Sequence, residues 1–278
     1  MLRRFSNNVN MPEEEIREKL SRVKCWLLDM DGTITLGEEM IPGAERFFDN
    51  LKSAKYMFVT NNSSHGPAHY MERLERLGLD YSRDKILIST DALAENILGI
   101  FKKPRCYVLG TPDFEKELAL AGIDIIKERD EDIDAVLLGF DTTLTYEKLD
   151  FACSYIRSGV PYYAANPDKV CPLKDGKVMP DCGAMISYFE TCTSKKPERV
   201  FGKPDTAMID MIMSKYGFSR EQTAMVGDRI WTDIAFAKNA GIMGIAVLTG
   251  VTATEDIASG RLLPDFVFDN IGDISEYI

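Results

Sequence analysis

The sequence predicts an α/β protein, with a Rossmann-like parallel-sheet core domain and an inserted α/β cap domain. Three observations lead there. Short apolar runs alternate with amphipathic stretches of helical period, and the order β-α-β-α-β-α demands a parallel sheet with right-handed crossovers. Several of those runs stop abruptly at polar or acidic residues, where open α/β sheets gather their ligands. The first pattern is then interrupted by a second series of about a hundred residues, long enough for a core of its own, and resumes afterwards. The expected division is 1–100 with 198–278 for the core, and 101–197 for the cap.

Taken in order, Pro12–Val23 reads as a charged surface helix, with Pro12 early and Glu13–Glu15 in its first turn. Cys25–Leu28 is a buried strand that ends in Asp29-Met30-Asp31, followed by the turn-former Gly32. Thr33–Met40 is a loop or small flap, and Ala44–Ala54 a crossover helix with Phe47, Phe48 and Leu51 on one face. Tyr56–Val59 is a second strand, running into Thr60-Asn61-Asn62-Ser63-Ser64. Pro67–Leu77 is an amphipathic helix closed by Gly78, Ile86–Ser89 a third strand and Asp91–Phe101 a third helix.

The inserted series begins with strands at Tyr107–Leu109 and Val136–Phe140, with a helix over Asp113–Ala121 between them. A helix at Tyr146–Ser158, a strand at Pro161–Ala165 and a turn plus helix over Met179–Thr191 follow, and Thr193–Glu198 is a polar linker. The core then resumes with a helix at Asp205–Tyr216, a strand at Thr223–Val226 ending in Gly227-Asp228, and a helix at Asp233–Ala240. Strands at Gly244–Leu248 and Phe266–Phe268 complete it.

A formal net charge of −11 argues against a nucleic-acid or anionic-membrane partner, and no run of 18 apolar residues is present to span a bilayer. The six cysteines show no C-x-x-C spacing, and Met1–Asn10 lacks the apolar core of a secretory signal, so reduced thiols in a cytoplasm are expected. His65 and His69 are the only histidines, which leaves little for a histidine base or a histidine metal cluster.

Strand alternation puts Asp29 and Asp31 on one side of the strand end, where two carboxylates repel unless a cation or proton separates them. Asp-x-Asp-Gly-Thr occurs by chance at about 10⁻⁵ per starting position, so a merely solvated turn is the weaker reading. Thr60 and Asn61 taken alone suit a turn, Lys203 before Pro204 suits an ordinary helix start, and Asp228 suits a helix cap. Their joint occurrence in this order points instead to phosphoryl transfer. That chemistry needs a carboxylate nucleophile, a carboxylic acid, cation-binding carboxylates, a lysine and hydroxyl or backbone donors.

On Asp29-Met30-Asp31-Gly32-Thr33, Ile41-Pro42-Gly43-Ala44, Val59-Thr60-Asn61-Asn62-Ser63, Asn166-Pro167-Asp168, Gly202-Lys203-Pro204 and Val226-Gly227-Asp228-Arg229 with Thr232-Asp233, the sequence resembles the haloacid-dehalogenase superfamily of phosphatases. Within it, the resemblance is to the NagD-like, 4-nitrophenylphosphatase branch, and it covers nearly all of the chain after Ser21. It implies Mg²⁺-dependent hydrolysis of a small-metabolite phosphate monoester, a sugar phosphate or nucleoside monophosphate, in a cytoplasmic enzyme that leaves room for a homodimer. By that resemblance Asp29 is the nucleophile that forms an aspartyl-phosphate, and Asp31 the general acid–base. Thr60, Asn61, Asn62 and Lys203 hold the phosphoryl group, and Lys203 also neutralises Asp29. Mg²⁺ is held by Asp29, the backbone carbonyl of Asp31, and Asp228, with Asp233 orienting the ligands from nearby. Asn166 and Asp168, with Tyr162 and Lys169 behind them, are the cap residues expected to meet the substrate.

Two departures matter. Cys171 stands where relatives that dephosphorylate pyridoxal phosphate carry a histidine, and Met179-Pro180-Asp181-Cys182-Gly183 replaces a more usual Pro-Gly-Thr-Gly turn. Three rival functions are a dehalogenase, a phosphotransferase, and a non-catalytic metabolite-binding regulator on the same scaffold. The first needs neither a leaving-group acid nor a metal, which Asp31 and Asp228 contradict, and the last is usually marked by a lost nucleophile, whereas Asp29 is present.

Overall fold

The computed structural model describes residues 11–51, 54–129, 132–173, 176–252, 257 and 262–278. The expectation about Met1–Asn10 lies outside the described residues. In chain order the elements are α1 (Glu13–Ser21), β1 (Cys25–Leu28), β2 (Thr35–Leu36), β3 (Glu39–Met40), α2 (Ala44–Asn50), β4 (Lys55–Thr60), α3 (Pro67–Arg76), β5 (Ile86–Ile88), α4 (Ser89–Ile100), β6 (Arg105–Leu109), α5 (Pro112–Ala121) and β7 (Asp124–Ile126). They continue with β8 (Ala135–Leu138), α6 (Tyr146–Ser158), β9 (Tyr162–Ala164), β10 (Val170–Pro172), β11 (Val178–Pro180), α7 (Cys182–Thr193), β12 (Arg199–Val200), α8 (Ala207–Tyr216), β13 (Thr223–Gly227), α9 (Ala235–Ala240), β14 (Met243–Val247), β15 (Phe266–Phe268) and α10 (Ile271–Ile274).

Contact density groups the chain into two compact units, a different cut from the one expected at residues 100 and 198. The first comprises Met1–Thr60, Met71–Leu87 and Ile209–Ile278, and the second Asn61–Tyr70 with Ile88–Met208.

In the first unit the sheet runs β15-β14-β13-β1-β4-β5. β1 is paired in parallel on both sides, so all four of its residues are buried and read as one apolar run. Its register sets the site: Leu28 lies level with Val226 on one side and Phe58 on the other. The residues just past β1 and β13 therefore emerge side by side. Beneath them Trp26 meets Phe47 edge to face at 5.4 Å, which anchors α2 on the sheet. The expected flap is a short antiparallel pair, β2 with β3.

The second unit holds a parallel sheet in the order β12-β9-β8-β6-β7. Its core joins Tyr107, Leu109, Val136, Leu138, Ile156 and Phe189 from β6, β8, α6 and α7. α5 opens as its sequence dictates: the Thr111 hydroxyl caps the Phe114 N–H, and Pro112 takes a position where no N–H is needed. The Phe114 ring, 1% exposed, packs on the backbone of Gly110 and Gly139.

Several elements differ from the sequence expectation, each for a local reason. α4 begins at Ser89, not Asp91, because the Asp91 carboxylate folds back to accept the Ile88 N–H at 3.1 Å. A π-type turn over Ile230–Ile234 occupies the start of the helix expected from Asp233. β7, β12 and the β10–β11 hairpin went unread because none of their residues is buried, so no apolar run marks them. Cys25, Cys106 and Cys182 are core residues, and burial pushes their thiols up to about 11, 12 and 12. Among the described residues no helix is long and apolar enough to cross a membrane.

Removing the Phe114 ring leaves a cavity under two strands at once. Phe114→Ala is expected to cost about 3–5 kcal/mol, read as a lower urea midpoint for unfolding.

Candidate active site

The first unit brings three carboxylates together at the ends of its central strands. Asp29 follows β1, its N–H donating to the Val226 carbonyl at 3.0 Å, and Asp228 and Asp233 follow β13. Ligand oxygens of the three lie within 4.8 Å of one another, with Asp228 and Asp233 buried and Asp29 half-buried. Backbone donors hold them in place. Val251 N–H reaches Asp228 Oδ2 at 2.7 Å, and Arg229 N–H reaches Asp233 Oδ2 at 3.0 Å. Gly32 adopts φ +89°, a conformation side-chain-bearing residues avoid, and a Cβ there would lie 2.6 Å from Asp228 Oδ2. Three hard oxygen donors so close suit a divalent cation such as Mg²⁺, which prefers carboxylate and carbonyl oxygens.

Asp31 has its carboxylate outside that trio and half-exposed. Its Oδ1 accepts from Arg73 Nη2 at 2.7 Å, and the same nitrogen donates to Thr35 Oγ1 and the Gly37 carbonyl, each at 2.6 Å. Arg73 is 7% exposed. It ties the carboxylate after β1 to both ends of the β2 strand.

The second unit contains a separate buried cluster built on Asn61. The Asn61 amide grips the Lys203 backbone twice: Oδ1 accepts from Lys203 N–H at 2.6 Å, and Nδ2 donates to the Lys203 carbonyl at 2.8 Å. Nδ2 also reaches Asp168 Oδ2 at 3.2 Å. The Asn61 carbonyl accepts from Ser89 Oγ and from Asn166 Nδ2, while Asn166 Oδ1 receives the Asp168 N–H at 3.1 Å. Lys203 is 2% exposed. The loop over Asn166–Asp168 rests on the start of α7, where Gly183 N–H donates to the Asp168 carbonyl at 2.7 Å.

A haloacid dehalogenase-like hydrolase model matches residues 26–124, and a HAD-hydrolase-like model matches 200–274. An acid sugar phosphatase of Staphylococcus epidermidis is 34% identical over 254 residues, 91% of this chain and 96% of that protein. The chain belongs to the haloacid dehalogenase-like hydrolase family. The crystal structure of a Thermotoga maritima 4-nitrophenylphosphatase superposes with a TM-score of 0.88 at 40% identity, covering 93% of this chain and 98% of that one. A glycerol phosphate phosphatase of Mycobacterium tuberculosis, solved in complex with magnesium, gives 0.86 at 28% identity, over 92% of this chain and 78% of that one. The protein is thus a haloacid dehalogenase-like phosphatase of the NagD-like, 4-nitrophenylphosphatase branch, a hydrolase of phosphate esters.

Among the residues expected to serve this phosphatase, Asp29, Asp31, Thr60, Asp228 and Asp233 lie in the first unit, and Asn61, Asn62, Asn166, Asp168 and Lys203 in the second. Asp233 offers an oxygen within the same 4.8 Å of Asp29 and Asp228, so it lies among the three carboxylates. Asn62 Oδ1 accepts from the Ser64 N–H and hydroxyl, which closes the turn after β4. Tyr162 is corrected: it is 1% exposed, packs near Phe189, and its hydroxyl donates to the Lys195 carbonyl, so burial removes it from any substrate. Lys169 is exposed.

Arg73 was not foreseen. A signal existed: Tyr70, Arg73 and Leu74 share the buried face of α3, and an arginine on an apolar helix face asks for a buried acceptor.

Gly32→Ala is expected to strain a φ of +89° and press on Asp228. A drop in thermal midpoint of several degrees, from about 1–3 kcal/mol of backbone strain, checks this by calorimetry.

Proposed function

We propose that this phosphatase hydrolyses the phosphate monoester of a small metabolite, of the sugar phosphate or nucleoside monophosphate class, with Mg²⁺ and through an aspartyl-phosphate on Asp29. The observation that carries the reading is the carboxylate trio of Asp29, Asp228 and Asp233 at the ends of neighbouring parallel strands, with Asp31 two residues beyond Asp29. The relatives named acid sugar phosphatase and glycerol phosphate phosphatase support a phosphorylated sugar or polyol among small phosphate esters.

An Asp29 carboxylate oxygen attacks phosphorus opposite the ester oxygen, and the P–O bond to the leaving alcohol breaks as the Asp29–phosphorus bond forms. Asp31 gives its proton to the departing alkoxide. It then takes a proton from the water that attacks phosphorus, releasing inorganic phosphate and restoring the Asp29 carboxylate. Asp29, Asp228 and Asp233, with the Asp31 backbone carbonyl, would hold Mg²⁺. The ion, when bound, supplies positive charge that lets a carboxylate approach a phosphate dianion.

Lys203 adds a second positive charge for the phosphoryl oxygens, and Thr60 offers them a hydroxyl. Asn61 has its side-chain amide engaged with Lys203 and Asp168, so its part is to brace the lysine, with Asn62 shaping the turn beside it. Asn166 is fully buried and also braces. That leaves Asp168 and Lys169 as the cap residues to meet a leaving group. Arg73 positions Asp31 through the 2.7 Å contact and does not itself touch the reacting atoms.

The decisive experiment follows phosphate release from 4-nitrophenyl phosphate and a panel of sugar phosphates and nucleoside monophosphates. Asp29→Asn should lower kcat by about 10⁴-fold or more with an unchanged circular dichroism spectrum. Undiminished activity in that variant sinks the mechanism. Exhaustive chelation should abolish turnover and added Mg²⁺ restore it, and full activity in the chelated protein would defeat the metal assignment. Arg73→Met should reduce kcat about 10-fold while leaving KM within about twofold, the split expected of a residue that aims the general acid.

A further inference from the structure

The second unit carries a pair of sulfurs for which the phosphatase reaction has no use. Cys153 lies in the middle of α6 and Cys192 in the last turn of α7, and their Sγ atoms are 3.3 Å apart. Both are half-buried, packed at the margin of the α6–α7 core, so a small reagent in solution can reach them. A disulfide needs its sulfurs at about 2.05 Å, a further closing of about 1.3 Å that small rotations of two side chains deliver. The rest of the cysteines are placed differently. Cys25, Cys106 and Cys182 are buried in core positions, and Cys171 sits on β10 with its Sγ 3.7 Å from the Pro172 carbonyl.

We propose that Cys153 and Cys192 are an oxidation site, closing reversibly into a disulfide that staples α6 to α7 by exchange with a small-molecule disulfide such as oxidised glutathione. One cysteine thiolate attacks a sulfur of oxidised glutathione, which breaks the glutathione S–S bond and expels a glutathione thiolate. The second cysteine thiolate then attacks the protein sulfur of this mixed disulfide and expels the second glutathione. The two protein thiols are oxidised by two electrons, the oxidant is reduced to two glutathiones, and the two cysteine protons end on them. Burial, then the contact with Cys153, pushes the Cys192 thiol up to about 11, while Arg157 nearby pulls the other way. The exchange is accordingly faster at pH 8 than at neutral pH, since the thiolate is the attacking form.

The closure joins residues 39 positions apart, a loop long enough for a cross-link to restrict the unfolded chain appreciably. It also fixes the far end of the helix whose first turn supports the Asn166–Asp168 loop through Gly183. The proposal rests on sulfur geometry alone and stands whether or not the catalytic assignments hold.

The test uses the full chain incubated with excess oxidised glutathione at pH 8, followed by non-reducing peptide mapping and thiol counting. The expected result is loss of two of the six thiols, a mass lower by two hydrogens, and one linked peptide pair joining Cys153 to Cys192. The thermal midpoint should rise by about 5–10 °C and return on adding dithiothreitol. Cys171→Ser should behave identically, and Cys153→Ser or Cys192→Ser should abolish the link. Six free thiols after prolonged oxidation, glutathione retained on one cysteine without a cross-link, or a bridge through Cys171 would each overturn the proposal. A bridge that forms without raising the midpoint would overturn the stapling role.

Discussion

Three carboxylates held within 4.8 Å are the constraint on which the first unit depends. At that separation two ionised groups repel by about 3.5 kcal/mol even with an effective dielectric of 20. No short peptide would keep them there. The sheet does, because β1 and β13 are hydrogen-bonded neighbours in register, and strands that run level must end level. Backbone N–H groups of Val251 and Arg229 then accept the burden of solvating Asp228 and Asp233 that water would otherwise carry. The fold's stability is thereby converted into a concentration of negative charge that favours a divalent cation.

The fold reads so well from the sequence because burial and period reinforce each other in the central strands. Cys25–Leu28 is apolar throughout since both faces of β1 are covered, and Asp29 breaks the run at the point where the strand leaves the sheet. The same contrast marks the end of β13 at Asp228. Strands with no buried residue carry no such contrast. β10 and β11 pair with only one another, bury little, and leave no period for a reader to find. The helix expected from Asp91 begins at Ser89, because the Asp91 side chain reaches back from inside the helix to the Ile88 N–H.

The site was legible in its acids and much less so in its braces. Asp29, Asp31 and Asp228 stand out because charge just past an apolar strand has few structural uses, whereas Asp233, six residues beyond β13, takes its part only from the family resemblance. Asn61 has many, and its amide serves the Lys203 backbone from 142 positions away, a pairing that no local pattern encodes. Arg73 is the instructive middle case. Its position on the buried face of α3 was a visible inconsistency, but the acceptors it satisfies, on Asp31, Thr35 and Gly37, lie 36 to 42 positions upstream. Sequence can show that a buried charge needs partners; only the fold shows which.

The distribution of parts between the units has a physical consequence. The carboxylates of Asp29, Asp31, Asp228 and Asp233 are confined to the first unit, where the pairing of β1 with β13 fixes the spacing of the trio. The lysine and the loop over Asn166–Asp168 are fixed within the second by one buried amide, so a change in the loop is felt at the Lys203 backbone through Asn61. On the proposed assignment of Asp168 and Lys169 to the leaving group, a change at Asp168 also reaches the Lys203 backbone through the shared Asn61 amide. A substitution at exposed Lys169 breaks no bond to Asn61, whereas one at Asp168 does.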